Sequence, residues 1–223
     1  MTLAMTDKDK MDFIELTETN LNMPIPAPEI AHIDKLDLNV ELREVYVYGN
    51  IDEDFGAWFT CIMAYLESLS EEPITIRLNT PGGDEVSMFS FHDSVRTSPC
   101  HVTIIATGQV CSAGVLMLAC GDMRLVTESC VLMSHRGKGG MEGDYETILA
   151  RTKYVKWSEQ HWSVLMDRYT PEEVDGQKRD VSYWFNLGKK QPEWWVLGGF
   201  AIVHEGIADA VVGDPKRGGV DAE

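Results

Sequence analysis

The chain has no apolar run of membrane-span length, no CxxC pair, no internal repeat and comparatively few basic residues. The first absence argues against a helical membrane span, and the N-terminus lacks the basic-then-apolar order of a secretory signal. Five cysteines (Cys61, Cys100, Cys111, Cys120, Cys130) lie mostly in apolar stretches. An odd count without paired spacing speaks against a zinc site and against a disulfide framework. It suits reduced thiols and a cytoplasmic location. With 19 basic residues against 36 acidic ones, the formal net charge is −17. Such a chain repels phosphate backbones and anionic lipid, so neither nucleic acid nor membrane is expected as a partner.

What is present is ordinary globular material. The 223 residues are 44% hydrophobic and 25% charged, enough for one sizeable core. Residues 1–35 read as a flexible acidic, Pro-rich tail ending in Pro24-Ile25-Pro26-Ala27-Pro28. Residues 36–213 read as one domain, and 214–223 as a mobile tail. Glu44–Tyr48, Ile74–Leu78 and His101–Ala106 have the length and β-branched content of strands, as do Arg124–Val126 and Cys130–Met133. Between them, Ile51–Ser70 and Glu85–Arg96 carry helical spacing. Strands alternating with helices at this pitch predict a parallel-type α/β sheet. Gly137-Lys138-Gly139-Gly140 reads as a hinge before a long helix from Asp144 to about Tyr169. Thr170-Pro171-Glu172-Glu173 looks like a capped helix start. The aromatic stretch 181–197 is read as a hairpin, and Phe200–Glu205 as a short helix ended by Gly206.

The chemistry concentrates at Gly108-Gln109-Val110-Cys111-Ser112-Ala113-Gly114. A buried strand runs into it and an apolar helix, Val115–Ala119, leaves it. A serine on such a turn raises its hydroxyl toward substrate beside the N–H groups of a helix N-terminus. Two more strand ends converge on it: Asn79-Thr80-Pro81-Gly82-Gly83-Asp84 follows one, and Ser134-His135 ends another. In an open α/β sheet the carboxyl ends of strands share a cleft. A serine needs a base, which His135 supplies near neutral pH. A tetrahedral intermediate needs backbone donors, which Gly83 and Ala113 N–H could supply. The other histidines (His32, His92, His101, His161, His204) show no metal or acid–base pattern, and no cofactor is expected. Cys111 is expected to face the core rather than act as a nucleophile.

These segments, in this order, resemble the Clp protease proteolytic subunit (ClpP) family, including its phage- and plastid-type members. The resemblance runs from about Val45 to Val212, and Glu205-Gly206-Ile207-Ala208-Asp209 adds to it. It implies an α/β fold of the ClpP/crotonase type, with repeated strand–turn–helix units and a protruding helical handle at about 137–170. It further implies a serine endopeptidase with Ser112 as nucleophile, His135 as base, and Gly83 and Ala113 as oxyanion donors. By the same resemblance, the subunits form heptameric rings, stacked in pairs into a tetradecameric chamber that takes unfolded protein from a separate AAA+ ATPase. This chain has no Gly-x-x-x-x-Gly-Lys-Ser/Thr P-loop of its own. The Pro-rich tail does not resemble the family's ATPase-contacting loop.

The third triad member is where the sequence departs from the family. Counting from Thr170 nominates Asp180; counting back from Gly206 reaches Glu193, with Trp194 beside it. The difference marks an insertion. Asp180 is preferred, and Glu193 stays open. The rival readings are a catalytically weak ring subunit, a phage head-maturation protease, and a crotonase-type acyl-CoA enzyme that would hold an enolate on the same glycine amides.

Overall fold

The computed structural model describes residues 37–137 and 142–213. The expected tails at 1–35 and 214–223, and residues 138–140 of the glycine hinge, lie outside the described residues. In chain order, β1 (Leu38–Asn39), β2 (Glu44–Ile51), α1 (Phe55–Leu69), β3 (Ile74–Gly83), α2 (Glu85–Thr97) and β4 (Val102–Cys111) form the first half. Then come α3 (Ala113–Ala119), β5 (Met123–Val126), β6 (Val131–Ser134) and α4 (Tyr145–Tyr169). The chain ends with β7 (Glu173–Val174), β8 (Gln177–Lys178), α5 (Val181–Lys190), β9 (Trp194–Leu197), α6 (Gly199–His204) and β10 (Ala210–Val211).

The main sheet runs β1-β2-β3-β4-β5-β10, parallel from β2 onward, which is the expected α/β architecture. Alternation in β3 buries Ile74, Ile76, Leu78 and Thr80 on one face. Against the core pack α1 and α2 through an aromatic stack, with the Phe59 and Phe91 rings 4.3 Å apart. Every residue of α3 is buried, as befits a helix apolar all round.

The feature that builds the site is a change of partner along β4. Its first half, Thr103–Ala106, pairs with β5, while Gln109–Cys111 pairs with β6. Between them Gly108 adopts a φ of +64°, and a Cβ there would sit 2.9 Å from Asn79 Nδ2. The strand therefore bends over the carboxyl end of β3. Strand β9 then joins β6 antiparallel, extending this upper layer.

Two expectations fail after residue 169. Thr170 does not open a helix: its hydroxyl donates back to the Met166 carbonyl (2.6 Å) and it ends α4. The small β7–β8 hairpin comes next, turned by Asp175 (φ +51°) and Gly176 (φ +75°). Two successive positive φ values are what an Asp-Gly hairpin turn requires. The aromatic stretch 181–197 is likewise no hairpin. Residues 181–190 form α5, which buries Trp184 and Leu187 three residues apart, and only 194–197 are extended.

Candidate active site

Two backbone segments interlock to make the Ser112 side. Thr80, fully buried, donates its hydroxyl to the Gly49 carbonyl (2.6 Å) and accepts the Gly82 N–H (2.9 Å), locking the turn after β3. Against that turn lies the end of β4. A Cβ on Gly82 would come within 2.6 Å of both the Cys111 carbonyl oxygen and Ser112 Cβ. One on Gly114 would come within 2.7 Å of Thr80 Cγ2. Gly82 is there because the two backbones touch, and Gly114 because the Thr80 and Val110 side chains fill the space.

Ser112 sits at the junction of β4 and α3 with φ +55° and ψ −116°. A non-glycine residue in that region is strained by about 1–3 kcal/mol and needs surroundings that hold it. Its N–H donates to the Met133 carbonyl (2.7 Å), and its own carbonyl accepts the Val115 N–H (3.1 Å). A serine on a sharp strand-to-helix turn presents its hydroxyl outward. Ala113 N–H opens α3 and has no place in the intrahelical ladder. The neighbouring Cys111 is buried, and burial pushes its thiol pKa up, the opposite of what a thiolate nucleophile needs.

Ser112, Ala113, Gly82, Gly83 and His135 all line one cavity of about 830 Å³. Its other wall comes from α4 and α5, including Trp162, Trp184 and Leu187. A model of the family described as Clp protease matches residues 29–186. The chain belongs to the Clp protease family. It is 25% identical over 197 residues to the ATP-dependent Clp protease proteolytic subunit 2 of Gluconobacter oxydans (strain 621H), covering 80% of this chain and 88% of that protein. It is 28% identical over 157 residues to the corresponding subunit 2 of Pseudomonas aeruginosa, covering 68% and 77% respectively. In structure it resembles a ClpP1 mutant from Listeria monocytogenes with a TM-score of 0.65 at 22% identity, covering 79% of this chain and 95% of that one.

Within this Clp-family chain neither carboxylate nominated from sequence is hydrogen-bonded to His135 Nδ1. Asp180 is the N-cap of α5: its carboxylate accepts the Tyr183 N–H (2.9 Å) and pairs with Lys178 (3.1 Å). Those two contacts hold its pKa below the usual aspartate value, the Tyr183 N–H contributing most. Glu193 is exposed and accepts from Trp195 Nε1 (3.1 Å). The β6–β9 register sets Trp194 opposite Ser134, at the end of the strand that leads to His135. Trp194 is buried edge-to-face against Trp184, with ring centroids 5.9 Å apart. Among the described residues His135 Nδ1 is buried without a hydrogen-bond partner.

Sequence reasoning missed Arg136, Glu159 and all of α5 as parts of this wall. Arg136 donates from Nε to Glu159 Oε1 (2.8 Å) and from Nη2 to Glu159 Oε2. The Asp-Gly pair at 175–176 was the available signal that the chain turns back before α5. Among the described residues no group of three His, Cys, Asp or Glu side chains is placed to hold a metal ion, and no helix is long and apolar enough to cross a membrane.

Proposed function

We propose that the protein is a serine-type endopeptidase subunit of the Clp kind. The observation that carries the reading is the strained, backbone-locked Ser112 opening into the same cavity as His135. Ser112 Oγ attacks the peptide carbonyl carbon as His135 takes its proton. The carbonyl oxygen becomes an oxyanion held by the Gly83 and Ala113 N–H groups. The intermediate collapses by breaking the C–N bond, and His135 returns the proton to the leaving amine. Water, deprotonated in turn by His135, then releases the acyl group.

The unpartnered Nδ1 of His135 favours a slow enzyme. Without an acceptor there, the tautomer with its proton on Nε2 is not disfavoured, and that tautomer cannot take the serine proton. This supports the weakly active ring subunit as the second reading. Tyr145, Ile148, Leu149, Tyr154, Val155 and Trp157 lie exposed along the first half of α4. That apolar stripe supports assembly with further copies into rings that enclose the cavity, as in Clp-type chambers. The substrates would be unfolded protein chains, delivered by a separate AAA+ ATPase.

The test is labelling with a fluorophosphonate probe, located by peptide mass, with wild type beside Ser112→Ala. Label on Ser112 that disappears in the variant is expected. A folded protein that takes no label at Ser112 would overturn the serine-peptidase reading and leave weight on a non-catalytic subunit or an acyl-CoA enzyme.

A further inference from the structure

His135 lies in a loop whose next residue is tied to two helices of the cavity wall. Arg136 makes a bidentate ion pair with Glu159, whose side chain is only 18% exposed, and this fastens the loop to α4. Its guanidinium carbon also lies 5.9 Å from the Phe185 ring centroid on α5. Its methylenes run over Gly188, where an added Cβ would overlap Arg136 Cγ and come within 3.2 Å of Cδ. Gly188 lies inside a helix with no positive φ to demand glycine. Glycine is a poor helix former, so local preference would favour alanine at this position. Space for Arg136, its side chain and its backbone N (3.2 Å from that Cβ), is the reason visible at that position for its absence. Three residues from two helices thus converge on the residue after the base, while the base has no partner on Nδ1.

We propose that Arg136 is the positioning residue for His135: clamped by Glu159, Phe185 and Gly188, it fixes the loop that aims the imidazole, a task that falls elsewhere to a carboxylate on Nδ1. The proposal rests on the reading of His135 as the base. A clamp of this kind orients the ring without itself stabilising the imidazolium, because the Arg136 charge is cancelled by Glu159. The charged groups lining the cavity with His135 are Asp84, Glu85, Arg136, Arg151 and Glu159. Asp84 caps α2 through the Ser87 N–H (2.8 Å), and Arg151 donates to the Glu142 carbonyl (2.9 Å). Glu85 lies beside the Tyr154 hydroxyl, whose pKa is raised chiefly by burial and further by Glu85 and Asp84.

The experiment uses the full-length chain with Arg136→Gln, Gly188→Ala, Glu159→Gln and the swap Arg136→Glu/Glu159→Arg. Two readouts are taken: the rate of fluorophosphonate labelling at Ser112 across pH, and the rate of diethyl pyrocarbonate modification at His135 mapped by peptide mass. Arg136→Gln and Gly188→Ala are each expected to slow Ser112 labelling by roughly 10- to 100-fold, the size of a small misplacement of a catalytic group. Both should quicken modification of the loosened His135. Glu159→Gln removes the acceptor of the clamp and is expected to act in the same direction as Arg136→Gln on both readouts. The swap restores part of the labelling rate. Gly188→Ala guards against misfolding, since it adds a better helix former and removes no charge. Wild-type rates on both readouts in Arg136→Gln and Gly188→Ala overturn the proposal. If Ser112 labels in no protein, the serine reading falls and the His135 readout alone decides: faster modification sustains the clamp, unchanged modification overturns it.

Discussion

On the Ser112 side of the cavity, the geometry is set by backbone against backbone. Gly82 touches the Ser112 turn, Gly83 abuts Ile51, and Thr80 ties the β3 turn to Gly49. On the His135 side it is set by side chains: the Trp184–Trp194 contact, the Arg136–Glu159 pair and the ring of Phe185. Backbone contacts admit almost no variation, because a single Cβ displaces a strand. Side-chain contacts can be exchanged one at a time. That difference makes the Ser112 turn the fixed side of the cavity, and the side that follows β6, where Trp194 pairs with Ser134, the adjustable one.

The largest effect is expected where the backbone contact is tightest. Gly83 has φ +152°, and a Cβ there would overlap the Ile51 carbonyl that bonds the Asp84 N–H (2.6 Å). Gly83→Ala is expected to destabilise the fold by about 5 kcal/mol, the range of overpacking combined with backbone strain. Chemical denaturation measures this, and Ser112 labelling should be lost with it. A stable, labelled Gly83→Ala protein would show that the serine side is as pliable as the histidine side. Next in size is Trp184, 2% exposed and in contact with Trp162, Tyr183 and Trp194. Trp184→Ala should cost about 3 kcal/mol through the cavity it leaves. It should also speed modification of His135 while leaving the β3–β4 turns intact. An unaltered His135 in that variant would mean that the aromatic cluster supports the wall without holding His135.

The serine side was also the legible side. Apolar runs of strand length announced β2, β3 and β4, and small residues at fixed spacing announced the two turns that interlock. Asp144, which caps α4 by accepting the Thr147 N–H (2.7 Å), marked the start of the long helix correctly. The segment from 170 to 197 was misread because its local signals conflict. Tyr183-Trp184-Phe185 has strong strand preference, yet Trp184 and Leu187 share one helical face, and burial against Trp162 and Trp194 decides in favour of helix. Thr-Pro-Glu-Glu reads as a helix start by composition, but Thr170 spends its hydroxyl on the helix before it. The clamp at Arg136 was beyond reach, since Glu159 and Gly188 lie 23 and 52 positions away and only the fold brings them together.

The smallest effect sharpens the comparison most. Asp180 was the carboxylate preferred from sequence, and here it caps a helix instead. Asparagine caps as well as aspartate, so Asp180→Asn removes the charge and keeps the cap. The Tyr183 N–H, and then Lys178, hold the Asp180 carboxyl below its ordinary value of 3.8. A depressed folded-state pKa gives stability that is present above the unfolded value and lost as pH falls through the folded one. The melting temperature of Asp180→Asn should therefore lie slightly below wild type at neutral pH, with the gap closing as pH drops below 3.8. Ser112 labelling should be unchanged throughout, and unchanged again in Glu193→Gln. A sharp loss of labelling in Asp180→Asn with an unaltered melting curve would mean that the carboxylate leaves the helix end and reaches His135 in solution. The histidine side would then be a triad that assembles on demand, and the contrast between a fixed wall and an adjustable one would become the enzyme's means of switching itself on.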